Sequence, residues 1–193
     1  MEAFSVETVK AKFVELVKDK IERLGIRDLM QWLDGTDFYT APASTRYHSN
    51  FEGGLVAHSL NVYIQLKKLC TTYDCTASEE SIAIVALFHD LCKVGCYKTV
   101  MRWRKDSNNK WEQYPTYEFK EDFSYGGHGS KSVFLLQSFI ELFPEEASAI
   151  NCHMGVENNN GLAVNEVYKR NRLAWLLHVA DEAAAFIMEY KED

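Results

Sequence analysis

The chain has 193 residues, 47% of them hydrophobic, 25% charged and 13% aromatic. That composition excludes wholesale disorder and predicts a single domain, residues 1–193, that needs neither disulfide nor metal merely to fold. The net charge of −7 disfavours long duplex nucleic acid as a partner, since phosphate backbones need clustered cations, but leaves room for a small anionic substrate in a local pocket.

In chain order, Ser5 to Leu24 reads as an amphipathic helix, with Val6, Val9, Phe13, Leu16, Val17 and Ile21 at three- and four-residue steps, Ser5 as N-cap and Gly25 as stop. A short helix from Ile26 to Asp34 follows, then a loop, Gly35 to Asn50, containing Pro42. Gly53 and Gly54 open a long helix reaching Tyr73. Ser78 to Leu91 is apolar all round and belongs at the centre of a fold. Tyr97 to Lys120 changes character: Val100, Trp103, Trp111, Tyr114, Tyr117 and Phe119 flank a polar tip, Asp106 to Asn109, which predicts a β-hairpin. Helices are expected again over Gly129 to Leu142 and Glu145 to Met154. A polar loop, Gly155 to Asn165, precedes one or two closing helices, Asn165 to Tyr190. The expected fold class is all-α, a helical bundle with one inserted hairpin at 97–120.

The five cysteines, Cys70, Cys75, Cys92, Cys96 and Cys152, are odd in number and irregular in spacing. No signal-like segment occupies Met1 to Lys18, and no apolar run approaches the roughly 18 residues of a bilayer span. The expectation is a reduced, soluble, cytoplasmic protein without a membrane partner. Cys92 and Cys96 read as buried thiols rather than metal ligands.

Six histidines, His48, His58, His89, His128, His153 and His178, are spread through the chain. His89-Asp90 ends the most apolar helix, where an ionised Asp is costly unless paired or metal-bound. Imidazole beside carboxylate suits a divalent ion such as Mn, Fe or Zn, although a polar pair at a helix end is also an ordinary structural feature. His58 sits early in a helix, His128 at a helix entrance, His153 at a helix end and Asp181 mid-helix in an apolar run. Together these five segments each offer an imidazole or carboxylate at a helix end or on a helix face.

The order His58, His89-Asp90, His128, His153, Asp181 resembles the HD-domain superfamily of metal-dependent phosphohydrolases. Three local matches carry the resemblance. Glu52-Gly53-Gly54-Leu55-Val56-Ala57-His58-Ser59-Leu60 is similar to the family's entry helix. Phe88-His89-Asp90-Leu91-Cys92-Lys93-Val94-Gly95 is similar to its His-Asp motif, with Cys92 where Gly is usual. His178-Val179-Ala180-Asp181 is similar to its closing helix. The likeness covers about 47–187 and leaves 1–46 as a helical extension.

The resemblance implies metal ligands at His58, His89, Asp90 and Asp181. With His128 and His153 it implies a dinuclear centre of two divalent ions (Fe, Mn, Mg or Zn), bridged by Asp90. A bridging water would then attack phosphorus in a nucleotide-like phosphoester or phosphoanhydride. Lys93 would face the substrate phosphate, or else complement the helix dipole. Lys131 is a further candidate phosphate contact, while Arg46 and His48 are either substrate contacts or solvated loop residues. His178, three residues before Asp181, is expected to support the site or the core rather than bind metal. The aromatic hairpin is expected as a lid or base-stacking element, with a small satellite core or a dimer contact as alternatives.

Other functions stay open. Some six-ligand HD proteins hold di-iron and cleave C–C or C–P bonds with dioxygen. A non-catalytic interaction module normally lacks these ligands. The cyclic-dinucleotide phosphodiesterases carry a Gly-Tyr-Pro signature, whereas Met154-Gly155-Val156-Glu157-Asn158-Asn159-Asn160-Gly161 stands here.

Overall fold

A computed structural model describes residues 5–121, 125–156 and 161–189. Among these residues lie eight α-helices and one two-stranded antiparallel sheet.

Helix α1 (Val6–Lys20) starts at Ser5, whose hydroxyl accepts the Thr8 N–H, and carries Glu7 in its first turn and Lys18 and Lys20 in its last, each complementing the helix dipole. It ends four residues before the expected Leu24, because the backbone turns extended at Ile21. Arg23 then enters a part-buried network with Glu80 and Glu146. Helix α2 (Ile26–Asp34) begins after Gly25, at φ +91°, where a Cβ would sit 1.9 Å from the Phe139 carbonyl oxygen. No other residue fits that close approach.

Helix α3 (Gly54–Thr72) and helix α4 (Glu79–Phe88) pack against each other. The N-cap of α4 is Ser78, whose Oγ accepts the Ser81 N–H at 3.0 Å. Every residue of α4 from Ser81 to Phe88 is buried. It touches α1, α3, α6 and α8, so the most apolar segment of the sequence is the central post of the bundle. A 3-10 turn, Leu91–Lys93, follows.

Strands β1 (Tyr97–Lys105) and β2 (Trp111–Phe119) pair from Tyr97↔Phe119 at the base to Lys105↔Trp111 near the tip. At the tip, Asp106 Oδ1 accepts the N–H groups of Asn108 and Lys110, both at 2.8 Å, and Asn109 takes a positive φ, as a tight turn demands.

Helix α5 (His128–Gln137) stops before the expected Leu142. The segment after it folds back so that Phe139 meets Gly25 and its ring lies 5.3 Å from that of Trp32. Helix α6 (Pro144–Cys152) has Pro144 in its first turn, and Glu146 accepts the Phe143 N–H at 2.8 Å. Helix α7 (Gly161–Arg170) begins inside the stretch expected to be loop, its apolar Val164 buried against the core. The rest of that loop, 157–160, and the expected helix end at Tyr190 lie outside the described residues. Helix α8 (Arg172–Ala183), capped by Asn171, runs on into a π turn, Ala184–Met188.

One apolar cluster runs from Phe13 and Val17 of α1 through α3, α4 and α6 to Leu177 and Ala184. The N-terminal helices therefore share the core of the segments that carry the histidines. No described helix is long and apolar enough to cross a membrane.

Candidate metal centre

The helix ends and faces that carry the chemical residues converge beside α4. His58 lies on the second turn of α3, His89 caps the C-terminus of α4, and Asp90 opens the 3-10 turn. His153 caps α6, and Asp181 comes from α8. The short entry of α3 depends on Gly54, because a Cβ there would meet the Ser49 carbonyl oxygen at 1.9 Å.

His58, His89 and His153 have no solvent exposure, and Asp90 has 2%. The Nε2 atoms of all three histidines lack a hydrogen-bond partner. Their Nδ1 atoms do not. His89 Nδ1 donates to the Ala86 carbonyl at 2.9 Å, and His153 Nδ1 to the Ile150 carbonyl at 2.7 Å. His58 Nδ1 donates to the Glu189 carboxylate at 3.0 and 3.2 Å. Each ring is thus fixed through one nitrogen and presents the other inward.

The inward nitrogens face two carboxylates. His58 Nε2 is 2.9 Å from Asp181 Oδ1, without hydrogen-bond alignment, and 3.8 Å from Asp90 Oδ2. His89 Nε2 is 3.5 Å from Asp90 Oδ2 and 3.8 Å from Asp181 Oδ1. His153 Nε2 is 3.6 Å from Asp90 Oδ1. Two fully buried groups result, His58–His89–Asp181 and His89–Asp90–His153, and a third, part-buried one, His48–His58–Glu189, lies beside them, each with donor atoms within 4.8 Å of one another. Each could hold a metal ion. Buried imidazole nitrogens without partners are rare and costly, and a divalent ion bound by imidazole and carboxylate satisfies them.

The charges are strongly coupled to the packing. Burial alone would raise the Asp90 pKa, but Lys93, His89 and His153 outweigh it and hold the carboxyl well below its usual range. Burial likewise opposes the charged form of Asp181, and His58 and His89 reverse that and keep it an anion. For His58, burial pulls the pKa down, yet Asp181 and Glu189 raise it to about 9.

The remaining candidates are placed differently. His128, expected as the sixth ligand, stands outside all three groups. Its Nδ1 faces Cys92 Sγ at 3.7 Å and its ring lies 6.0 Å from Phe119 at the hairpin base. Lys93 Nζ is 2.6 Å from Asp90 Oδ2, which ties it to the carboxylate. Lys131, expected as a phosphate contact, is buried with its Nζ 3.0 Å from both Cys96 Sγ and Glu121 Oε1, so its charge is already engaged at the root of the hairpin. Arg46 is exposed on the loop before α3. His48 is half-buried with its ring 4.8 Å from that of His58, and its Nε2 also lacks a partner. His178 donates from Nδ1 to the His153 carbonyl at 2.7 Å and stacks on Tyr168, behind the centre. Cys92 and Cys96 are buried free thiols, and burial pushes Cys92 up to about 12.

Sequence reasoning missed Glu189, together with Ser49 and Asn61, which bind it. Glu189 follows Asp181 by eight residues, past the end of α8 and through a π turn, so α-helical periodicity does not place it on the Asp181 face and gave no signal for it. Comparison with protein-family models, curated proteins and solved structures finds no match to this chain.

Proposed function

We propose that this chain is an HD-type, metal-dependent phosphohydrolase of a small, nucleotide-like phosphoester or phosphoanhydride. The observation that carries the reading is the trio of buried, partnerless Nε2 atoms on His58, His89 and His153, aimed at Asp90 and Asp181. His58, His89 and Asp181 would hold one ion. Asp90 and His153 would hold a second, joined by His128 as the family resemblance implies. When bound, such ions lower the pKa of a shared water and neutralise charge on phosphorus.

The protein's own groups divide the remaining work. The Ala86 and Ile150 carbonyls fix the His89 and His153 rings. Lys93, 14% exposed at its side chain, holds the Asp90 carboxylate by its charge and lies where an anionic substrate would add to the same network. The apolar floor of α4 keeps the local dielectric low, which strengthens each of these interactions. Five free thiols suit a reducing, cytoplasmic setting.

Elemental analysis of the full-length protein as purified tests the reading, paired with a screen of Mn2+, Fe2+ and Zn2+ against nucleotides, phosphodiesters and phosphonates while dissolved oxygen is recorded. Metal-dependent phosphate release without oxygen uptake is the expected result. Absence of bound metal would remove the centre, and oxygen consumption with C–C or C–P cleavage would replace hydrolysis by oxygenation.

A further inference from the structure

The three inward-facing imidazoles are fixed in two different ways. His89 and His153 each cap a helix and use the carbonyl three residues earlier, so their orientation is local. His58 lies within α3 and takes its support from 131 residues away, at Glu189. The Glu189 side chain is 5% exposed. Its Oε2 accepts the Ser49 hydroxyl at 2.7 Å and its Oε1 accepts the Asn61 amide at 2.9 Å, so the carboxylate is itself held from two sides.

The backbone around it is specialised. Helix α8 passes into a π turn at Ala184–Met188, and the Glu189 N–H closes that turn on the Ala184 carbonyl at 3.1 Å. The turn packs on α3. A π turn inserts an extra residue and changes which side chain faces a given neighbour, and such turns concentrate at functional sites. Here the residue delivered to His58 is Glu189.

We propose that Glu189 is a positioning residue for the metal centre: by accepting the His58 Nδ1–H it fixes the ring and leaves Nε2 as the donor toward the ion. The inference rests on the metal-centre reading above. A carboxylate behind a metal-bound imidazole raises its basicity and sets its tautomer, and loss of such a partner weakens metal binding about 10- to 100-fold. The C-terminal turn is thereby part of the site, and Glu189 lies just beyond the span of the family resemblance.

The test uses the full chain, as wild type, Glu189→Ala and Glu189→Gln, titrated with Mn2+ alone and with Co2+ alone. Metal affinity and the Co2+ visible spectrum are recorded beside helix content. Glu189→Ala is expected to weaken binding about 10- to 100-fold and alter the Co2+ spectrum. Glu189→Gln, which keeps an oxygen for Nδ1–H but not the charge, is expected between wild type and Glu189→Ala. A purely packing role would not follow that order. Should the alanine variant fail to fold, the glutamine variant decides alone: weaker binding supports the proposal, and unchanged binding overturns it. Equal affinity in all three proteins leaves the metal centre standing and removes Glu189 from it. A wild type that binds neither ion overturns the centre itself, and the proposal with it.

Discussion

At the centre, His58, His89 and His153 have no exposure, while in the hairpin Trp103 and Trp111 are 61% and 65% exposed. Both regions are rich in residues that recognise ligands, but they are held by different means. The histidines and aspartates are fixed by helix ends, backbone carbonyls and the wall of α4. The hairpin is held by its own ladder and, at its base, by Tyr97, whose hydroxyl donates to the Ala43 carbonyl at 3.0 Å. Preorganisation sits where charge must be buried, and adaptable surface sits where nothing has yet been enclosed.

The sharpest way to break the contrast is to remove a carboxylate or imidazole from the centre. His58→Ala and Asp90→Ala are each expected to abolish metal-dependent turnover while helix content, followed by far-UV circular dichroism, is retained, since the core does not depend on metal. Normal metal-dependent turnover in both would dissolve the distinction between the regions.

A matched pair of arginines sharpens it further. Arg23 grips Glu146 with two nitrogens at 3.0 Å, and that glutamate is fully buried. Arg102 meets Glu118 at the same 3.0 Å, but with side chains 41% and 52% exposed. Arg23→Ala strands a buried carboxylate and is expected to cost about 3–5 kcal/mol in denaturant unfolding. Arg102→Ala is expected to cost at most about 1 kcal/mol, because solvent already screens the hairpin pair. Trp103→Ala should fall within about 0.5 kcal/mol of wild type by the same measurement.

A separate contrast concerns pH. Burial raises the Cys70 thiol from 9.0 to about 12. A raised folded-state pKa means that this contribution is intact below pH 9 and declines as the pH climbs toward 12. The stability difference between wild type and Cys70→Ala should therefore shrink in favour of the variant between pH 9 and 11, and a difference constant across that range would show that the thiol is not shielded.

Much of the fold was legible because its signals are local. The periodicity of α1, the Ser78 cap, the all-apolar run of α4 and the alternating aromatics of the hairpin each report on a few neighbouring residues. What sequence missed came from distant partners. Leu24 and Leu142 looked helical, but Arg23 is drawn to Glu146 and Phe139 folds back onto Gly25. At the site, His58, His89, Asp90, His153 and Asp181 do come together. His128 was read as a ligand from the family resemblance and Lys131 as a phosphate contact from its neighbour in sequence; in space Cys92 faces the one, and Cys96 with Glu121 engages the other. Glu189 went unread because its partner is on another helix and a π turn decides where it faces.

His89 joins the two fully buried donor groups, the ones that carry Asp90 and Asp181, so it offers the most direct measurement. Wild type and His89→Ala would be dialysed side by side against Mn2+, then against metal-free buffer, and retained metal determined by elemental analysis. A shared buried centre predicts metal retained by wild type and lost from His89→Ala. Equal retention by the two proteins, or none in wild type, would contradict it.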